Sequence, residues 1–197
     1  MKKTIAISAL ALSFAMAAPA NAATFTVDID LDNIESFGEL GDPSNVILTR
    51  LLAPNATITG LGFDVTLEAF TPSWLSELTV YFLDSPVGLQ LTPGVGEDVP
   101  GVGSFSSGGI INLADIDPTF VFTLGADGIL SLEFFEGFDD SSVSPDGIWN
   151  GTLTVQYEAD AIPGIPEPTT WAMMIGGFGL VGGALRSRRK VSVSYAA

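Results

Sequence analysis

Carboxylates are almost the only side chains in this chain that could do chemistry. The sequence contains 23 acidic residues, no cysteine and no histidine. Zinc, copper and haem sites therefore lack their usual ligands, and catalysis by Ser–His–Asp or Cys–His arrangements is excluded. Two kinds of carboxylate chemistry remain, which are calcium binding through oxygen ligands and glycoside hydrolysis by a pair of acids.

The best calcium candidate is a segment rich in acids and serines. Asp139, Asp140 and Asp146 bracket the stretch Ser-Ser-Val-Ser-Pro, and a loop can fold such residues around an ion. The alternative is a solvated acidic loop without an ion. The alternating aspartates of residues 28–32 are weaker candidates, because alternate residues of a strand lie about 6.6 Å apart, too far for easy joint chelation. Calcium is the only cofactor that these residues suggest.

Sugar binding is the other chemistry that the residue types allow. Phe70, Trp74 and Trp149 could stack on sugar rings, although such aromatic residues more often belong to a core. The acids of residues 133–139 include a potential catalytic pair, but Glu133 fits the outward face of a strand. We therefore expect no enzymatic activity, with a carbohydrate-binding or carboxylate-based carbohydrate-active module as the alternative.

Alternation of apolar and polar residues with period two predicts the elements that hold these groups. It indicates half-buried strands in six runs. The runs are 24–31, 61–68, 78–82, 120–124, 130–134 and 153–157. Asp127-Gly128 lies between two runs and predicts a tight hairpin, and residues 92–109, rich in Gly, Pro and Ser, predict a long loop. Many short strands with such turns predict an all-β, antiparallel β-sandwich.

The N-terminus has the pattern of a secretory signal peptide. Lys2 and Lys3 precede an apolar run at residues 5–18, and Ala20-Asn21-Ala22 supplies the small residues of a cleavage site. This order predicts a signal helix at residues 1–22, recognised by the Sec machinery and cut by signal peptidase after Ala22.

The C-terminal segment has three parts. Pro166-Glu167-Pro168 is held extended by its prolines, residues 171–185 carry no charge, and basic residues follow. As a helix, the uncharged run spans roughly 22 Å against a bilayer core of about 30 Å, which suits a transient transmembrane helix in the inner membrane. The basic residues are expected to stay cytoplasmic. The residues that we assign to sorting are Pro166, Glu167, Pro168, Trp171, Arg186, Arg188 and Arg189.

This tail resembles the PEP-CTERM sorting signal, in the variant that has Trp-Ala two residues after Pro-Glu-Pro. The resemblance covers about the last thirty residues. It implies processing by an exosortase near Pro-Glu-Pro, in a Gram-negative bacterium that makes exopolysaccharide. It also implies export to the cell surface or extracellular matrix after transient anchoring in the inner membrane.

The resulting organisation has five segments. They are the signal peptide (1–22), an acidic β-sandwich (23–160), a linker (161–165), the sorting signal (166–190) with its transmembrane helix (171–185), and a cytoplasmic extension (191–197). Residues 74–88 and 151–155 resemble the P-like jelly-roll domains of secreted subtilisin-type proteases, which implies that the sandwich is jelly-roll-like. The sandwich is expected to be flanked by the signal helix and a C-terminal hydrophobic helix.

Removal of both ends makes the mature domain far more acidic than the precursor. Residues 23–165 contain 22 acids and one base, Arg50, for a net charge of −21 against −16 for the whole chain. Binding to nucleic acid is excluded, because it needs lysines and arginines to neutralise phosphates. We therefore expect a non-enzymatic surface or matrix protein that associates with exopolysaccharide or biofilm, with cations bridging its carboxylates to the polymer.

Overall fold

Two antiparallel β-sheets make up most of the described chain. The structure is a computed structural model of the 197-residue protein and describes residues 22–139, 144–160 and 168–187. Residues 22–160 form one unit, whose described part has ten strands and two short helical turns. The strands are β1 (Ala22–Ser36), β2 (Val46–Leu51), β3 (Thr57–Ala69), β4 (Leu78–Phe82), β5 (Gln90–Leu91), β6 (Gly101–Ser106), β7 (Ile111–Asn112), β8 (Phe122–Thr123), β9 (Ile129–Glu136) and β10 (Gly147–Asp160). The helical turns are α1 (Leu113–Ile116) and a 3₁₀ turn (Pro118–Phe120).

In both sheets, strands that are distant in sequence lie side by side. The larger sheet has the order β1–β10–β3–β6, and the short strands β7 and β8 also pair with β3. The smaller sheet has the order β2–β9–β4–β5. Val155 of β10 pairs with Val27 of β1 on one side and with Leu61 of β3 on the other. The alternating apolar residues of adjacent strands therefore lie side by side on one face.

Large side chains from the two sheets meet in one core. The ring of Phe134 on β9 packs edge-on against Trp149 on β10, with centroids 5.3 Å apart. Phe82 on β4 makes a similar contact of 6.4 Å with Phe122 on β8. Because each pair joins one sheet to the other, the fold is the antiparallel β-sandwich that the sequence predicts.

Five of the six predicted strand runs are confirmed, in β1, β3, β4, β9 and β10. The run at residues 120–124 is wrong for most of its length, because only Phe122–Thr123 is a strand. Pro118 occupies the first turn of the 3₁₀ segment, and the Asp117 side chain accepts a hydrogen bond from the Thr119 N–H at 2.8 Å. Proline and this cap favour a helical turn over an extended chain.

The predicted long loop at residues 92–109 also needs correction. Gly101–Ser106 forms β6 and pairs with β3 along six residues. Its Ser104 hydroxyl lies 3.0 Å from the Thr66 hydroxyl. Glycine and serine weaken the strand signal in sequence, but cross-strand backbone and hydroxyl bonds supply the pairing here.

The turn at Asp127-Gly128 is tight but does not form the predicted hairpin. The Gly128 N–H donates to the Gly125 carbonyl at 3.0 Å, and Gly128 has a φ of +66°. The flanking strands β8 and β9 belong to different sheets. The sequence therefore predicts the tight turn correctly. It does not predict which strands pair, because pairing depends on contacts between residues that are far apart in sequence.

The second unit comprises residues 1–21 and 161–197, and its described part is the helix α2 (Pro168–Ser187). This helix confirms the predicted C-terminal hydrophobic helix. The signal helix at residues 1–22 lies outside the described residues except for Ala22. The linker at 161–165 and the extension at 191–197 lie outside them entirely.

Candidate functional site

Two glutamates on β9 are buried on opposite faces of the strand. Glu133 and Glu136 are 3% and 0% exposed, respectively. Positions three apart on a strand point to opposite sides, and Glu136 shares the inner face with Phe134. Glu133 lies on the outward face of β9, as the sequence predicts, but this face is not exposed to solvent. The outer face of β9 is covered here by the segment between β1 and β2.

Glu133 is buried with good hydrogen-bond donors. Its Oε1 accepts from the Gly41 N–H at 2.6 Å and from the Asn45 Nδ2 at 2.9 Å. Asn45 in turn accepts from the Gly38 N–H at 3.1 Å through its own Oδ1. A buried carboxylate is tolerated when N–H groups satisfy it in this way. Glu133 therefore fastens the β1–β2 segment onto the smaller sheet.

Glu136 is buried among other oxygens. It lies with Ser73 and Asp146 at one end of the sandwich, and all three residues are 0% exposed. We call these three residues the buried acid cluster. Within the described chain, no hydrogen bond of good geometry reaches either carboxylate oxygen of Glu136 or the Ser73 hydroxyl oxygen. Ser73 and Asp146 nevertheless lie close enough to Glu136 to affect its protonation.

The ends of four strands hold this cluster in place. The Asp146 N–H donates to the Ser36 carbonyl at 2.8 Å, and the Asp146 carbonyl accepts from the Phe70 N–H at 2.9 Å. The Glu136 N–H donates to the Gly38 carbonyl at 3.0 Å, and the Ser73 N–H to the Phe70 carbonyl at 2.8 Å. The cluster is therefore built on backbone bonded to β1, β3, β9 and β10.

This environment favours the protonated form of Glu136. Burial, which penalises the charged form, raises the pKa of Glu136 from its usual 4.5 to about 8. The Ser73 hydroxyl lowers this pKa, whereas the Asp146 carboxyl and the charge of Glu77 raise it further. Without an added ion, a proton on Glu136 relieves the repulsion between neighbouring carboxylates near neutral pH.

An open cleft lies on the surface beside Ser73. Pro72, Trp74, Glu77 and Phe138 line it, and its volume is about 450 Å³. Trp74 is 43% exposed and Phe138 is 60% exposed. The Glu77 Oε2 accepts from the Trp74 N–H at 2.7 Å, which orients the start of this loop. We call this feature the aromatic cleft.

The structure separates the aromatic residues that the sequence grouped as a sugar-binding surface. Trp74 lies in the aromatic cleft, whereas Trp149 is 1% exposed in the core and donates from Nε1 to the Ser36 hydroxyl at 3.1 Å. Trp149 is therefore a core residue, which is the more common place for such an aromatic, and it does not belong to a sugar-binding surface. Phe138 takes its place beside Trp74, which the sequence could not show because residues 74 and 138 come together only through the β4–β9 pairing.

Two of the three residues of the predicted calcium site are described, and they lie in different surroundings. Asp139 is exposed, Asp146 is fully buried, and Asp140 lies outside the described residues. Among the residues that the structure describes, no three acidic side chains are grouped closely enough to suggest a metal site. Burial of Glu136 and Ser73 was not visible in the sequence, because it depends on segments that pack over the strand ends.

The sorting residues fall at and around α2. Pro168 begins the helix, Trp171 lies in its first turns, and Arg186 is exposed in its last turn. Pro166, Glu167, Arg188 and Arg189 lie outside the described residues, and Ala22 is the first residue of β1. A family model described as the PEP-CTERM protein-sorting motif matches residues 164–190. The tail is a PEP-CTERM sorting motif. This motif indicates an exported protein that an exosortase sorts, as in Gram-negative bacteria.

The predicted transmembrane helix at residues 171–185 lies within α2 but is not supported as a membrane span. In the ranges that the structure covers, no helix is long and apolar enough to cross a membrane. Glycine occupies positions 176, 177, 179, 182 and 183, and its small side chain adds little apolar character to the helix.

Comparison with curated proteins gives no match. The solved structures similar to this chain include two of infectious bursal disease virus, a Gt strain structure and a VP2 subviral particle. Each is 14% identical, with TM-scores of 0.32 and 0.33, and they cover 80% and 78% of this chain. The chain spans 37% of the length of each of these viral chains. A structure of Desmodium yellow mottle tymovirus is 13% identical with a TM-score of 0.28, over 78% of this chain and 95% of that chain. These scores are too low to carry a functional argument.

Proposed function

We propose that this protein is a non-enzymatic component of the cell surface or extracellular matrix that associates with exopolysaccharide. The sorting motif at residues 164–190 is the observation that carries the proposal, because it indicates export. The domain that it delivers has 22 acids and a single base within residues 23–165. Divalent cations would bridge these carboxylates to an acidic or hydroxylated polymer.

The placement of the acids supports a role without catalysis. Glu133, Glu136 and Asp146 are shut off from solvent within the described chain, so a polymer substrate cannot reach them. The chain has no histidine or cysteine to act as nucleophile or base. Exposed acids instead cover the outer face of the larger sheet, where Asp28 Oδ1 accepts from the Thr154 hydroxyl at 2.7 Å.

Truncation of the tail tests the sorting part of this proposal. A chain lacking residues 166–197 should lose retention at the surface or in the matrix and appear in the medium or periplasm. A chain lacking only residues 191–197 is the matched control, because the family match ends at residue 190. Equal retention of both truncated chains would refute a sorting role for the tail.

Co-sedimentation with matrix polysaccharide tests the association. Binding should require calcium, fall on addition of EDTA, and recover when calcium is restored. Binding to the polymer that persists in EDTA would contradict cation bridging. Shortening of the polymer during the assay would contradict a non-enzymatic role.

The aromatic cleft favours a second candidate function, a carbohydrate-binding module. Trp74 and Phe138 expose large apolar rings on one cleft, while Glu77 adds a carboxylate that can accept hydrogen bonds from hydroxyl groups. Aromatic faces and polar groups together suit the mixed surface of a sugar ring. A glycan array should then show a discrete ligand that Trp74→Ala loses, with the melting temperature unchanged. Binding that survives both Trp74→Ala and Phe138→Ala would remove this candidate.

A further inference from the structure

An apolar pocket opens between the two sheets. Residues of β3 and β7 in the larger sheet and of β5 in the smaller sheet line it, together with α1 and the 3₁₀ turn. Its volume is about 460 Å³, within the range of about 300–1,000 Å³ that is common for small-molecule sites. Of the nine described residues that line it, seven carry large apolar side chains. We call this feature the inter-sheet pocket.

The walls of the pocket are fixed by local structure. The smaller sheet ends beside it in β5, which has two residues and pairs only with β4. On the side of the larger sheet, α1 and the 3₁₀ turn follow β7 directly. The Asn112 and Asp117 side chains accept hydrogen bonds from the Ala114 and Thr119 N–H groups at 3.0 and 2.8 Å. These caps stabilise both turns, so the pocket is formed before any ligand arrives.

The exposure of the lining residues rises from the floor of the pocket to its mouth. Leu61, Leu89 and Leu113 are 4%, 6% and 2% exposed and belong to the core, whereas Ile111 and Ile116 are 36% and 61% exposed. Apolar side chains therefore lead from solvent into the core. Contiguous apolar surface of this kind marks binding sites, whereas single scattered apolar residues do not.

The charges around the pocket disfavour an anionic ligand. Asp115 and Asp117 are exposed on the helical turns beside it. Arg50, the only base in residues 23–165, lies on β2, at the opposite edge of the smaller sheet from β5. A carboxylate or phosphate group would therefore meet acids and no base. Gln90 is the one residue with a polar side chain among the described lining residues, and an amide can hydrogen-bond a single hydroxyl or carbonyl group.

We propose that the inter-sheet pocket binds one uncharged small molecule with an aliphatic or aromatic body, such as a neutral lipid with a single hydroxyl or carbonyl group. The apolar body covers Leu61 and Leu113 and is driven into the pocket by the removal of apolar surface from water. This ligand differs from the polysaccharide of the proposed function, because apolar walls leave most hydroxyl groups of a sugar without hydrogen bonds.

A matched pair of fluorescent probes tests the site on the purified full-length protein in buffer without detergent. N-phenyl-1-naphthylamine is uncharged, and 1-anilinonaphthalene-8-sulfonate has the same rings with an added sulfonate. The uncharged probe should bind saturably with blue-shifted emission. The sulfonate should bind at least about tenfold more weakly, because it has no base to pair with. Equal affinity for both probes would overturn the uncharged class of ligand, and no saturable binding would overturn the site.

Two substitutions locate the bound probe. Leu91→Trp places a larger ring in the pocket from a half-buried position on β5. It should lower the affinity for the uncharged probe at least about tenfold and leave the melting temperature no lower, because the ring fills existing space. Ile116→Glu places a carboxylate at the mouth and should also lower the affinity about tenfold. Leu51→Glu is the matched control, because Leu51 is 71% exposed on β2 and does not line the pocket.

The proposal is overturned if Leu91→Trp, Ile116→Glu and Leu51→Glu all bind the uncharged probe as wild type does, because the probe then lies elsewhere on the chain. Ile116 is exposed, so Ile116→Glu keeps the test decisive even if Leu91→Trp fails to fold. Light scattering tests a second copy of the chain as the occupant. A dimer that Ile116→Glu converts to a monomer would assign the pocket to an interface between copies and would also overturn the proposal.

Discussion

At the scale of residues, the contrast between Glu133 and Glu136 is the most informative feature of the domain. Both are buried on β9, but among the described residues only the side chain of Glu133 accepts hydrogen bonds from N–H groups. The sequence marks neither as buried, because the alternation of β9 only assigns them to opposite faces. What covers each face is set by residues 36–45 and 70–77, which are distant in sequence.

The raised pKa of Glu136 predicts how stability depends on pH. In EDTA, the folded state holds this proton up to about pH 8, whereas the unfolded chain releases it near 4.5. Between these values the folded state binds more protons, so the free energy of unfolding falls as pH rises, by at most about 1.4 kcal/mol per unit. Glu136→Gln removes this contribution, so its stability relative to wild type should increase from pH 4.5 to 8.

Urea denaturation of both proteins across this pH range measures the difference. Glu158→Gln removes an exposed carboxylate and should show no comparable trend relative to wild type. A constant difference between wild type and Glu136→Gln over the whole range would contradict the raised pKa.

At the scale of elements, the sequence predicts strands better than it predicts their partners. Alternation finds β1, β3, β4, β9 and β10 because each has one face in the core. It fails at β6, whose glycines and serines lack that pattern, and it does not find β2, where Ile47 and Leu51 are exposed although apolar. The residues Asp127-Gly128 predict a tight turn. They do not predict that this turn connects a strand of one sheet to a strand of the other.

The turn between the sheets predicts a large effect of a small substitution. A Cβ on Gly128 would lie 2.6 Å from the Ala53 carbonyl carbon, and its φ is +66°. Gly128→Ala should therefore combine steric clash with left-handed strain and lower the free energy of unfolding by more than about 2 kcal/mol. Urea denaturation provides the measurement.

Gly108→Ala separates strain from clash. Gly108 has a φ of +71° and nothing within 4 Å of the added Cβ. Gly108→Ala should therefore lower the free energy of unfolding by conformational strain alone, by about 1 kcal/mol. If Gly128→Ala and Gly108→Ala lowered the free energy of unfolding equally, the contact with Ala53 would contribute nothing to the loss.

At the scale of the whole molecule, net charge opposes compactness. Residues 23–165 carry 22 acids and one base, and such self-repulsion destabilises a folded domain. The core of facing aromatic and aliphatic residues must overcome this without disulfides, because the chain has no cysteine. The sequence alone predicts this charge imbalance, since it follows from composition and the two predicted processing sites.

Salt should therefore stabilise the protein. Raising sodium chloride from about 0.01 M to about 0.1 M shortens the screening length from about 30 Å to about 10 Å. The melting temperature in EDTA should rise over this interval and then level off as repulsion is screened. A melting temperature that is flat or falls over the same interval would show that self-repulsion is a minor contribution.

We infer that export and tail processing release the acidic β-sandwich from a longer precursor. Intact-mass analysis of the protein recovered from the cell surface or matrix tests this most directly. We expect a chain that begins after Ala22 and ends near Pro166-Glu167-Pro168, with or without an attached group. A mass that retains residues 171–197 would contradict processing of the sorting motif.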